Sequence, residues 1–211
     1  MVAIYTIASL AITTAIVVAH PFNGQLASRQ VISSSTSASS SYKSIASQMR
    51  TLRQDIAGNR ISATEARKQV QSLSQQASTS ISAVNTCSTC FTGQQVASTS
   101  ISAVNTCSTC FTGQQVSSMT ASAKETYSEM SSLMQTVGAT YKDQAPSVLQ
   151  SFGALDSSLK QNLSKFSAVG VPMTNIVPTT FASTVSKAGL SQTSQAASSS
   201  VSAGGAKVGS W

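Results

Sequence analysis

Residues 38–86 read ASSSYKSIASQMRTLRQDIAGNRISATEARKQVQSLSQQASTSISAVNT, and this stretch decides the fold. Ala38, Tyr42, Ile45, Met49, Leu52 and Ile56 recur in steps of four and three, which places them on one stripe of a helix. Gly58-Asn59 supplies residues suited to a left-handed helix end. Ser62-Ala-Thr-Glu65 is a capping box, with Ile61 placed to pack on Ala66. A second stripe follows at Ala66, Val70, Leu73, Ala77, Ile81, Val84 and Cys87. Residues 36–57 and 63–86 are therefore expected to form an antiparallel helix hairpin with a short turn.

The pattern continues downstream. A third stripe runs Val116, Thr120, Ala123, Tyr127, Met130, Met134, Val137 and Tyr141, with Gly138 marking an end or a kink. Pro146 suits the first turn of a fourth helix, whose stripe is Leu149, Phe152, Leu155, Leu159, Leu163 and Phe166. Pro178 opens a shorter fifth helix with Phe181, Val185 and Ala188 facing inward. Helices with single apolar stripes bury them against one another. The expected fold is all-α: an up-down antiparallel bundle of four to five helices over residues 36–190, with Ser-rich flexible ends at 20–35 and 191–211.

Composition sharpens this. Only 9% of the 211 residues are charged, against roughly 25% in an average soluble protein. Serine (43) and threonine (23) fill the gap, so hydroxyls stand where most bundles carry Glu and Lys. The net charge of +7 includes a basic window, Lys43, Arg50, Arg53, Arg60, Arg67 and Lys68, broken only by Asp55 and Glu65. These bases are not interleaved with aromatics, so nucleic acid is not an expected partner.

Residues 77–96 and 97–116 are identical, ASTSISAVNTCSTCFTGQQV twice. Twenty residues turn a helix by about 2000°, five turns plus about 200°, so one straight helix through both copies would point their apolar faces apart. With one copy removed the plan is simple: a helix ending at Asn-Thr-Cys, a Cys-Ser-Thr-Cys-Phe-Thr-Gly turn, and Gln-Gln-Val opening the next helix. The extra copy is expected to form a short helix between breaks at Gly93 and Gly113.

The spacing of Cys87, Cys90, Cys107 and Cys110 also matches a four-cysteine zinc pattern, but duplicating any CxxC with this period creates it automatically. Disulfides are the expected state on a secretory route, with three pairings open; local Cys87–Cys90 and Cys107–Cys110 bonds would suit a single-copy ancestor. No metal or other cofactor is expected.

The secretory route is read from the first 19 residues, MVAIYTIASLAITTAIVVA, which carry no charge and end in a small-residue cleavage pattern before His20-Pro21. They are expected to be a signal peptide. No later run is apolar enough to span a bilayer, so the mature chain is expected outside the cell without a transmembrane anchor. Asn162-Leu163-Ser164 is an N-glycosylation acceptor, expected on the outer flank of its helix. The Ser/Thr-rich runs 33–44 and 191–202 read either as O-mannosylated or mucin-like regions or as disordered linker.

Catalytic residues are not found. His20 is the single histidine, so neither a Ser-His-Asp nor a Cys-His arrangement can be assembled. Glu125 and Glu129 lack the Glu-x-x-His pairs of a di-iron bundle and read as a solvated face. Tyr127, Met130, Met134, Leu155, Leu159 and Leu163 form two facing stripes that could line a site for a fatty acid or sterol, methionine being adaptable in irregular gaps.

The leader ending in Val17-Val-Ala19, with Ser/Ala-rich heptad helices such as 37–56 and 117–141, resembles secreted fungal proteins. It is similar to the hydrophobic surface-binding protein A and cell-wall galactomannoprotein group, and to small secreted candidate effectors of rust fungi. The resemblance implies a non-enzymatic helical protein with an apolar surface, a cell-wall component or a host protein as partner. The expected function is a secreted interaction protein using amphipathic helices; the alternative is an extracellular lipid carrier.

Overall fold

The computed structural model describes residues 32–88, 90–91 and 114–203. The leader, the second CxxC pair and the extra helix expected between Gly93 and Gly113 lie outside the described residues.

Helix α1 spans Ser35–Ala57 and α2 spans Ala63–Thr86. Ser34 caps α1, its hydroxyl accepting from the Ser37 amide. The turn between them follows the sequence. Asn59 takes the left-handed conformation at φ 52°, Arg60 N–H donates to the Asp55 carbonyl, and Asn59 N–H donates to Ile56. These two bonds satisfy carbonyls that the helix end would otherwise orphan. Ser62 Oγ then accepts from the Glu65 amide at 3.2 Å, the first half of the capping box.

Helix α3 spans Gln114–Tyr141 and runs through Gly138. It ends instead where Lys142 adopts φ 44°. A 3-10 turn at Lys142–Gln144 leads into α4 (Ala145–Leu149), a 3-10 stretch (Gln150–Leu155) and α5 (Asp156–Ala168). These last three form one rod, because Leu149, Gln150, Leu155 and Asp156 all keep right-handed helical dihedrals. Helices α6 (Phe181–Lys187) and α7 (Ser191–Ala203) follow.

The helix α7 corrects the expectation of a flexible tail from residue 191. Its Ser/Ala composition reads as disordered, yet Asp156 at the start of α5 reaches across to hold its first turn. The carboxylate accepts from the backbone N–H of Gln192 (3.2 Å) and Thr193 (2.8 Å) and from the Thr193 hydroxyl (2.8 Å). Thr193, Ala197 and Leu190 are buried. The serine run at 33–35 is likewise not a flexible flank: it caps and opens α1.

Successive long helices reverse direction, and the described residues carry no strand. The closest packing joins parallel partners, α1 with α3 and α2 with the α4–α5 rod. Small residues make this possible. Ser39 Oγ lies 2.7 Å from Ser122 Oγ, and the Thr126 hydroxyl donates to the Tyr42 backbone carbonyl at 2.8 Å. A side chain that reaches a neighbouring helix backbone requires close axes. In the second pair the Ser158 hydroxyl sits 2.8 Å from Ser78 and 3.0 Å from Ser82. One continuous core holds the large side chains, including Tyr42, Leu52, Leu73, Tyr127, Phe152 and Phe166.

Candidate functional site

Four helices meet at one buried polar node. Asn162 of α5 is 0% exposed. Its carbonyl oxygen accepts from the Tyr42 hydroxyl of α1 at 2.7 Å and the Tyr127 hydroxyl of α3 at 2.8 Å. Its amide nitrogen donates to Asn85 Oδ1 of α2 at 2.6 Å. Asn85 in turn donates to the Ser158 carbonyl at 3.0 Å and to Gln161 Oε1 at 3.4 Å. Each polar atom is thereby satisfied, which a buried amide demands. Burial pushes both phenols well above their ordinary value, because phenolate would lose its hydration.

This placement overturns the expected glycosylation of Asn162. A glycan on Nδ2 would replace the donor to Asn85 and would have no room in the core. Periodicity assigned Asn162 to the outer flank because it neighbours Leu163 and Phe166. The row through Ser158 and Asn162 instead faces α2, where Ser78, Ser82 and Asn85 provide hydroxyl and amide partners. Asn85, the start of a weaker Cys-type acceptor triplet, is buried as well.

The expected ligand lining is also corrected. Tyr127, Met130, Met134, Leu155, Leu159 and Leu163 are each 2% exposed or less. A cavity wide enough for water would leave accessible surface on its walls, and these side chains have almost none. They pack on one another as core. A shallow depression does exist between α5 and α7, but Ser164, Ser167, Ala168, Ala196 and Ser199 line it.

The same burial changes the view of the surface. Every Val, Leu, Ile, Met, Phe and Tyr side chain whose exposure is described is buried or half-buried. The stripes face inward onto one another, as the bundle reading expects, and so are not available at the surface to an apolar partner. What the helices present outward is hydroxyl and amide: on α1, Thr36, Ser40, Ser44, Ser47 and Thr51 form one exposed row.

Charge is concentrated on the α1–α3 seam. Arg50 donates from Nε to Glu129 (2.9 Å) and from a terminal nitrogen to Glu125 (2.8 Å), and Arg53 bonds the other oxygen of Glu129. Glu125 and Glu129, read as a merely solvated face, thus bridge to the basic window. Donating hydrogen bonds to the Glu125 and Glu129 carboxylates holds the Arg50 guanidinium even more firmly protonated.

The cysteine turn closes the bundle at the far end. Cys87 and Cys90 form a disulfide across three residues. Cys90 and Phe91 are buried, and the Phe91 ring packs edge-on against Phe166 with centroids 5.3 Å apart. Among the described residues no group of His, Cys, Asp and Glu could hold a metal ion. No helix among them is long and apolar enough to cross a membrane.

Fold and node together define a disulfide-capped helical bundle with a polar centre and a hydroxyl-rich exterior. Residues 36–100 and 94–143 match the model of the INF24-like family, described as infection structure-specific protein 24-like. The matched segments span just over half of the chain, and the chain belongs to this fungal family. They meet inside the duplicated stretch. No curated protein and no solved structure matches the chain.

Proposed function

We propose that the protein is a secreted, non-catalytic interaction protein of fungal infection, acting outside the cell on a wall component or a host protein. The observation that carries this reading is the exterior: large apolar side chains are spent in the core, and rows of Ser, Thr and Gln cover the helices. Such a surface recognises partners that offer hydrogen-bonding groups. Family membership supports the infection context.

Retention of the labelled secreted protein on isolated wall material and on host extracellular proteins tests this. Hydroxyl and amide contacts are not screened by ions, so retention should be nearly constant as salt rises past the point where exposed charge pairs are screened. Collapse of retention at moderate salt would transfer the role to the basic window. Retention on neither material would remove the reading.

A further inference from the structure

Both asparagines of the polar node begin N-glycosylation triplets, Asn162-Leu163-Ser164 and the weaker Cys-type Asn85-Thr86-Cys87. The folded chain closes both. Asn162 is 0% exposed and Asn85 4%, and the Asn162 amide nitrogen donates to Asn85 Oδ1 at 2.6 Å. Before folding, the two triplets are guarded differently. An acceptor triplet needs a free hydroxyl or thiol on its third residue. Cys87 spends its thiol in the bond to Cys90 three residues on, a local closure that disables the Asn85 triplet.

Ser164 has no such guard. It is exposed, and its hydroxyl donates to the Lys160 carbonyl at 3.0 Å, a bond within one turn of α5. Only long-range contacts bury Asn162: those with Tyr42, Tyr127 and Asn85, which lie 120, 35 and 77 residues earlier in the chain. Until α5 docks on them, the triplet is open.

We infer that Asn162 is a glycosylation site of the unfolded chain alone, so that glycosyl transfer there and assembly of the bundle exclude one another. The inference rests on the extracellular reading, because the co-reactant is a lipid diphosphate-linked oligosaccharide of the secretory route. The disulfide fits that oxidising route. In the transfer, Asn162 Nδ2 forms a bond to the anomeric carbon of the sugar. The bond from that carbon to the diphosphate oxygen breaks, the lipid diphosphate leaves with the electron pair, and the amide nitrogen gives up one proton. The product carries a bulky hydrated glycan on a nitrogen that the fold leaves no exposed surface. A chain modified first cannot bring Tyr42, Tyr127 and Asn85 together on Asn162. A chain that docks first holds Nδ2 beyond the reach of the transferase. Ser164 sets how often the first outcome occurs, and it does so from the surface, without a place in the core.

Expression in yeast behind a supplied secretion leader tests this without relying on the chain's own export. Intact masses of the secreted and cell-retained pools are compared before and after peptide N-glycosidase, which leaves Asp where a glycosylated Asn stood. Wild type should secrete glycan-free protein and retain chains glycosylated at Asn162. Ser164→Ala should abolish the retained glycosylated pool and raise the secreted yield by that fraction, with no fall in the urea midpoint of the secreted protein. Ser164→Thr preserves an acceptor triplet and should bring the retained pool back. Secreted, folded protein bearing a glycan on Asn162 would overturn the exclusion. Glycan-free wild type in both pools would overturn the site, and an unchanged secreted yield for Ser164→Ala would overturn the competition. Export behind residues 1–19 is a separate arm, and its failure counts against the extracellular reading alone.

Discussion

Replacing Asn162 with Ala removes the acceptor of two phenols and the donor to Asn85 in one step. Tyr42 and Tyr127 hydroxyls and Asn85 Oδ1 are then buried without those partners. Each such group costs about 1–3 kcal/mol, so losing three partners should destabilise by about 3–9 kcal/mol, a large share of the roughly 5–15 kcal/mol of a typical domain. Single Tyr42→Phe or Tyr127→Phe changes are milder, about 0.5–1.5 kcal/mol each, because the Asn162 oxygen keeps its other phenol. The double Phe variant leaves that oxygen bare and should cost more than the sum of the singles by about 1–3 kcal/mol. Urea unfolding followed by far-UV circular dichroism measures all four variants. A cost below about 1 kcal/mol for Asn162→Ala, with additive tyrosine effects, would refute the node as a shared polar centre.

Other outcomes follow from the same coordinates. Because folding raises the Tyr42 and Tyr127 values above the ordinary 10.0, stability should hold below pH 10 and fall as pH rises past it, by up to about 1.4 kcal/mol per pH unit for each phenol; urea midpoints across this range check it, and Tyr42→Phe should flatten the slope. Gly138 lies inside α3 with open space where a Cβ would stand, so Gly138→Ala should stabilise by about 0.5–1 kcal/mol in thermal melts; a loss of stability would contradict a continuous α3 there. Asp156→Ala removes the cap of α7 and should speed amide exchange over Ser191–Ala203 by an amount equivalent to about 0.5–2 kcal/mol, leaving α1 protected.

The elements with strict apolar spacing were legible in the sequence. The stripes from Ala38 to Ile56 and from Ala66 to Val84 place α1 and α2 within a residue of their observed bounds, and Ser62 caps α2 as its motif requires. The local Cys87–Cys90 bond is one of the pairings the single-copy plan allowed. Asn162 escaped because a sequon and a flanking position look identical to an exposed asparagine; its burial depends on tyrosines 120 and 35 residues away. Tyrosines on the inward stripes of α1 and α3 were the available signal, since each buried hydroxyl needs a partner. Helix α7 escaped for a similar reason, its first turn being held by a carboxylate 37 residues earlier. The apolar stripes partner one another, as their spacing implies for a bundle, so the face left for a partner is the hydroxyl and amide exterior.

Asn162 draws four helices of a hydroxyl-rich chain together, and the phenolic protons report on that directly. Proton NMR of the folded, disulfide-intact protein should show two slowly exchanging hydroxyl signals, from Tyr42 and Tyr127, each with a nuclear Overhauser contact to the Asn162 side-chain amide. Rapidly exchanging hydroxyls at both tyrosines, or an Asn162 amide close to neither ring, would contradict it.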